Sequence, residues 1–171
     1  GTAQGAAITR LDTTHCTVVP GTGTTVTTVG STTYVKATNA GSYDFTIELN
    51  DPSSMVSSDL TNADLEYSFT IAKATQTLTA SKASVSLDEQ TPSDTVTISG
   101  QQTSLHTPSS SDVNIATASL SGNVVTISGV GNGTATISIY AEESANYAQS
   151  NTVSITANAA MNITKTITVY S

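Results

Sequence analysis

The chain is 171 residues long, room for one domain or two small ones at about 100–200 residues each. Five Lys and Arg against 13 Asp and Glu give a formal net charge of −8, which excludes a nucleic-acid binder working through a basic footprint. With 33 Thr and 24 Ser, a third of all residues, and only 11% charged residues, the composition argues against a helical bundle or coiled coil; one Cys leaves no internal disulfide and no thiolate zinc cluster.

Thr is stiff at χ1 and suits an extended backbone, while its hydroxyl tolerates water, so a Thr-rich chain with ample Val and Ile reads as antiparallel sheet with one wet face. Disorder is the rival reading, and regular apolar alternation argues against it. In chain order, weak strands are expected over residues 7–11, 17–19, 25–29 and 33–37. Tyr43, Phe45, Ile47 and Leu49 alternate with polar residues, as do Leu65, Tyr67, Phe69 and Ile71. The intervening residues 53–62 form a loop holding one helical turn at most. Ala72-Lys73-Ala74-Thr75 is the expected module boundary, too short and too poor in Gly and Pro for free motion, and Gln76-Thr77-Leu78-Thr79-Ala80 opens the second module.

Residues 95–99 alternate and stop at Gly100. Strands over 113–120 and 124–128 flank the turn Ser121-Gly122-Asn123, and 134–139 follow the turn signal Gly131-Asn132-Gly133. Val153, Ile155 and Ala157 make one face of the next strand; Ile163, Ile167 and Val169 make one face of the last, with Lys165 on the same side near an edge. About a dozen strands with turn signals every 8–12 residues is the pattern of β-sandwiches. The expected fold class is therefore all-β, two tandem sandwiches: a first module over residues 1–74, and a second over 75–171 carrying an extra C-terminal strand.

The second half resembles the bacterial immunoglobulin-like domain of group 2 type. The likeness rests on Ser110-Ser111-Asp112-Val113-Asn114-Ile115-Ala116-Thr117-Ala118, then Gly122-Asn123-Val124-Val125-Thr126-Ile127 and Gly129-Val130-Gly131-Asn132-Gly133-Thr134-Ala135-Thr136-Ile137, within residues about 76–157. Its glycines turn one strand into the next, and Gly131 and Gly133 fit positions needing φ > 0 or close backbone approach. The chain departs from the family in a long, Ser-rich 101–111 loop and in Asp88-Glu89-Gln90 at an early turn. The first half is similar to immunoglobulin-like repeat modules of bacterial surface proteins, through Asn39-Ala40-Gly41-Ser42-Tyr43-Asp44-Phe45-Thr46-Ile47 and Tyr67-Ser68-Phe69-Thr70-Ile71-Ala72-Lys73-Ala74. The resemblance implies two immunoglobulin-like sandwiches from a longer secreted or cell-surface polypeptide, an expectation that the opening Gly1-Thr2-Ala3-Gln4-Gly5 shares.

Reactive chemistry is sparse. His15 and His106 fall in different modules without an evident companion, and no nucleophile elbow is present, so both are expected to be ordinary surface residues. Cys16 reads as a small apolar strand residue. Asp59, Asn62, Asp64 and Glu66 make an oxygen-rich stretch of the kind that binds Ca²⁺, but without the spacing or glycine of a calcium loop; a solvated acidic loop is the simpler reading. Asp88-Glu89 and Glu142-Glu143 are adjacent pairs that cannot act as a dyad on a strand. A Lys–Asn isopeptide cross-link would draw on Lys36, Lys73, Lys82 or Lys165 with Asn151 or Asn158, and no motif selects a pair. With no Trp and few Tyr, sugar-stacking platforms are scarce; Tyr34, Tyr43 and Tyr67 are expected in the core or at a corner.

These readings lead to a non-enzymatic structural or adhesion module without catalytic residues, cofactor or resident metal, acting as rigid spacer or as a protein or glycan contact surface. The expected partners are neighbouring modules of the same polypeptide and a protein or glycan on a host or neighbouring cell, with no nucleic acid and no membrane insertion. An extracellular setting, on a cell surface or a virion, goes with this. Phage tail or capsid appendages, and carbohydrate-binding accessory modules of secreted enzymes, are the alternatives.

Overall fold

The structure, a computed structural model, describes residues 3–9, 11–51 and 64–161, which form fourteen strands and no helix. The chain divides into two compact units, Gly1–Ala74 and Thr75–Ser171. The first unit contains β1 (Gln4–Thr9), β2 (Cys16–Pro20), β3 (Thr25–Val29), β4 (Thr32–Ala37), β5 (Gly41–Leu49) and β6 (Leu65–Ile71). The second contains β7 (Thr79–Ala80), β8 (Ser84–Asp88), β9 (Ser93–Ser99), β10 (Ser109–Ser110), β11 (Ala116–Ser121), β12 (Val124–Gly129), β13 (Gly133–Ile139) and β14 (Val153–Ala160).

In the second unit the sheets run β7-β9-β12-β11 and β8-β14-β13-β10. Lettered by strand, this is A-B-E-D facing A′-G-F-C, the order of an immunoglobulin constant-type sandwich. Alternation puts Val153, Ile155, Ala157 and Ala159 of β14 inward beside Ala135, Ile137 and Ile139 of β13, with Val96, Ile98, Val125 and Ile127 facing them from the other sheet. The cross-strand pairs grade from Ala135–Ala157 through Ile137–Ile155 to Ile139–Val153, so the interior is entirely aliphatic. Thr and Ser fill most outward positions. All strand pairs are antiparallel except β8 with β14.

The first unit carries β1-β4-β3 and β2-β5-β6. Strand for strand, β1 to β6 pair as β9 to β14 do, giving B-E-D and C-F-G. Among the described residues no strand stands where β7 and β8 stand in the second unit. Val35, Ala37 and Phe45 are its buried apolar residues, with Thr33 beside them. Cross-strand stacking joins Tyr43 to Phe69 and Phe45 to Tyr67, each with centroids 5.5 Å apart. The Tyr43 hydroxyl donates to the carbonyl of Asn39 at 2.9 Å, tying the start of β5 to the corner before it, as a tyrosine corner does. The chain is all-β, two tandem immunoglobulin-like β-sandwiches.

Several elements differ from their sequence expectation. The strand expected over 113–120 begins only at Ala116, because the Asp112 carboxylate accepts from the Asn114 amide at 2.9 Å and its carbonyl from Ile115 and Ala116, closing a turn that leaves Val113 60% exposed. Strand β8 was not expected; five residues with two apolar side chains give little periodicity. Strand β10 is two serines, with no alternation to read. Tyr67 is no core residue but 43% exposed at the rim of the first unit. Gly133 takes φ +137, while a Cβ on Gly131 would lie 2.5 Å from the Asn114 carbonyl oxygen. The turn expected within 53–62 and the strand expected over 163–169 lie outside the described residues.

Truncating Ile155 to Ala removes a fully buried side chain and is expected to cost about 2–5 kcal/mol in urea unfolding. Its exposed neighbour Ser154→Ala is expected to stay within about 0.5 kcal/mol.

Candidate functional site

Pairing of the segments after β9 and after β13, bridged at Leu105 and Ala141, brings His106 beside Tyr140 and Glu142. The His106 amide donates to the Tyr140 carbonyl and the Glu142 amide to the Ser104 carbonyl, both at 2.8 Å. The imidazole stacks on the Tyr140 ring at 4.6 Å and 11°, with Nδ1 2.6 Å from Glu142 Oε1. In the first unit His15 Nδ1 lies 2.6 Å from Asp12 Oδ2 across one turn. That hydrogen bond, with the Thr14 amide on the other oxygen, holds the Asp12 carboxyl below the usual carboxylate range. Each histidine thus has an acid companion that the sequence did not disclose: one lies 36 residues away, and the other, three residues upstream, carries no motif. Either pair can orient a ring. A general base also needs a nucleophile to deprotonate, and among the described residues neither imidazole hydrogen-bonds to a hydroxyl or thiol.

The other candidates disperse. Asp59 and Asn62 lie outside the described residues, Asp64 and Glu66 are exposed, and among the described residues no three His, Cys, Asp or Glu side chains gather as metal ligands. Asp88 ends β8 and turns its carboxylate to the amides of Gln90 and Thr91. The lysines and asparagines considered for an isopeptide bond have other partners. Lys82 Nζ lies 2.6 Å from both oxygens of Asp94, Lys36 sits 5.0 Å over the Tyr34 ring, and Asn158 accepts from Thr134. Lys165 is outside the described residues. Cys16 is half-buried at the head of β2.

The built polar feature of the second unit is a lock around Gln76, which is 6% exposed. Its Nε2 reaches Thr103 Oγ1 at 3.0 Å and the carbonyls of Glu142 at 3.0 Å and Ala148 at 2.9 Å, while Oε1 accepts from the Gln102 amide at 2.9 Å. Asn151 imitates a strand, accepting from the Leu78 amide at 2.7 Å and donating to the Leu78 carbonyl at 3.1 Å. Ser150 Oγ accepts from the Ala141 amide and donates to the Asn151 carbonyl. Together they pin the entry to β7, the 101–104 loop and the 141–151 loop at one end of the sandwich. Their partners are mostly backbone atoms of distant loops, so no residue spacing announces them.

The first unit contributes a cavity of about 300 Å³ bordered by Ala6, Ile8, Phe45, Ile47, Tyr67 and Ser68. It opens between β1 and β6, and its lining is mostly apolar.

No protein-family model matches the chain, and no curated protein matches it. Among solved structures it is similar to domains 4 and 5 of the S-layer protein SbsC, with 17% identity, TM-score 0.38, 89% of this chain and 80% of that one covered. It is also similar to the fibronectin(III)-like modules of Clostridium thermocellum CbhA, with 16% identity, TM-score 0.35, and 85% and 76% of the two chains covered.

Two outcomes follow from the polar contacts. Gln76→Ala leaves buried backbone groups of the two loops unpaired and is expected to cost roughly 1–3 kcal/mol by chemical denaturation. The Lys82 hydrogen bond, then the Thr95 amide, lowers the Asp94 pKa below its ordinary 3.8, so the pair stabilises the fold above that value and loses its contribution as pH falls through the lowered one. Lys82→Met is expected to return the Asp94 carboxyl toward its ordinary range in an NMR titration, at a cost of only about 0.2–1 kcal/mol near neutral pH because the pair is exposed.

Proposed function

We propose that the chain is a non-enzymatic, load-bearing spacer segment of a larger secreted or cell-surface protein. The observation that carries this reading is the parallel seam between β8 and β14, where Thr156 to Ala160 pair with Ser84 to Asp88. One strand lies near the start of the second unit and the other near its end. Tension applied at the two ends of the unit pulls parallel neighbours in opposite directions along their length, so the inter-strand bonds are loaded together in shear rather than opened one by one. Antiparallel strands joined by a hairpin would unzip instead.

The polar lock supports the same role, because it fastens loops to the sandwich at the end where the chain enters. Outward Thr and Ser keep the faces hydrated without the charge that would recruit nucleic acid or anionic membrane. The contact surfaces available to neighbouring modules, proteins or glycans are then the sheet faces and loop ends.

Single-molecule stretching of the chain from its two ends tests the proposal. The second unit is expected to unfold in one high-force step, and Thr156→Pro, which removes the amide that donates to the Ala83 carbonyl at 3.0 Å across this seam, is expected to lower that force markedly. An unfolding force for the second unit no higher than that for the first, which shows no such seam among its described residues, would refute the spacer role.

A further inference from the structure

Ala141 points into the second sandwich and is fully buried, so its neighbours Tyr140 and Glu142 face outward from the sheet that holds β13. His106 joins them across the bridge, and Leu105 packs against the core beside it. The result is an exposed platform. The His106 and Tyr140 rings stack at 4.6 Å and 11°, and the His106 and Glu142 side chains are 47% and 46% exposed. Its base is pinned from below: the Glu142 carbonyl accepts from Gln76 Nε2 at 3.0 Å, and the His106 amide donates to the Tyr140 carbonyl. Ring and carboxylate are therefore preset, and a ligand meets them without first ordering the segments that carry them.

We propose that this platform binds a neutral saccharide chain. A carboxylate only accepts, so in the neutral imidazole the proton sits on Nδ1 and is donated to Glu142 Oε1. Nε2 is then an acceptor, and the second oxygen of Glu142 is another. Acceptors at the rim of a ring suit the hydroxyl donors of a sugar, whose weakly positive C–H face lies against the negative face of the aromatic stack. From Tyr140 the outward positions of β13 continue through Ser138, Thr136 and Thr134, a strip of hydroxyls about 20 Å long at roughly 3.3 Å per residue. A chain of sugars, rather than a single ring, fits that extent. Charge narrows the class further. Glu142 is followed by Glu143 in a chain of net charge −8, which repels an acidic saccharide. A guanidinium also stacks on such rings, but it needs the carboxylate that His106 already holds.

Isothermal titration calorimetry of the full chain with cello-, xylo-, manno- and chito-oligosaccharides, and with oligogalacturonate as the acidic control, tests this. At least one neutral series is expected to bind, more tightly as the oligosaccharide lengthens, while oligogalacturonate does not. His106→Ala and Glu142→Gln are each expected to weaken binding at least tenfold, with circular dichroism confirming that both variants are folded. Glu142→Gln retains the backbone carbonyl on which the Gln76 lock closes. Glu89→Gln, in the turn after β8, is expected to leave the affinity unchanged. Absence of binding by every neutral series overturns the proposal, as does binding that survives either platform substitution or that prefers oligogalacturonate. An arginine-rich peptide that binds the platform when no saccharide does overturns it in favour of a cationic protein partner. None of these failures touches the spacer reading, which rests on the β8–β14 seam and is decided by force.

Discussion

A two-sheet sandwich hides its interior only when something closes the sides between the sheets. Alternation supplies the apolar faces, but it leaves the flanks open, and a flank is closed by a strand bridging the first and last elements of the unit. In the second unit that strand pair is β7 and β8, and the difference is measured in Leu78, Val85 and Leu87, which are as buried as any residue deep in the sheets. The continuous aliphatic cluster of this unit, reaching from Leu78 to Ala159, depends on that closure. So does the β8–β14 seam, since the strand that covers the flank is also the strand that pairs in parallel.

Polar side chains follow the same geometry. Gln76, Ser150 and Asn151 gather where β7 enters, because a segment crossing from one sheet to the other leaves backbone groups without ladder partners. Side-chain amides and a hydroxyl that satisfy those groups hold the crossing in place, Gln76 and Ser150 from buried positions and Asn151 from an exposed one. The histidine–acid pairs belong to another category. They sit on exposed turns, and their imidazoles and carboxylates meet water on the other side.

Sequence periodicity disclosed the all-β class and most long strands, since β4, β5, β6, β9, β13 and β14 alternate over five or more residues with one face buried or half-buried. It was silent on β8 and β10, which are short or lack apolar residues, and it extended β11 backward through Val113 and Ile115. There, the Asp112 side chain competes for backbone amides and turns the chain before alternation can be used. Gly131 and Gly133 were legible because close approach and positive φ leave few other residue types possible. The Gln76 lock was not, since its partners are backbone atoms 26 to 72 residues away and any polar residue reads alike at an isolated position.

The aromatic distribution shows what holds the first unit together. Both Phe residues of the chain, Phe45 and Phe69, lie in it and stack across β5 and β6 with Tyr43 and Tyr67, whereas among the described residues the second unit buries no aromatic ring. A ring covers far more neighbouring surface than Val or Ala, so a four-ring ladder shields the inner face of the sheet that β5 and β6 share. The ladder is graded: Phe45 is buried, and Tyr67, its stacking partner, is 43% exposed, so the stack runs from the interior of the unit out to water.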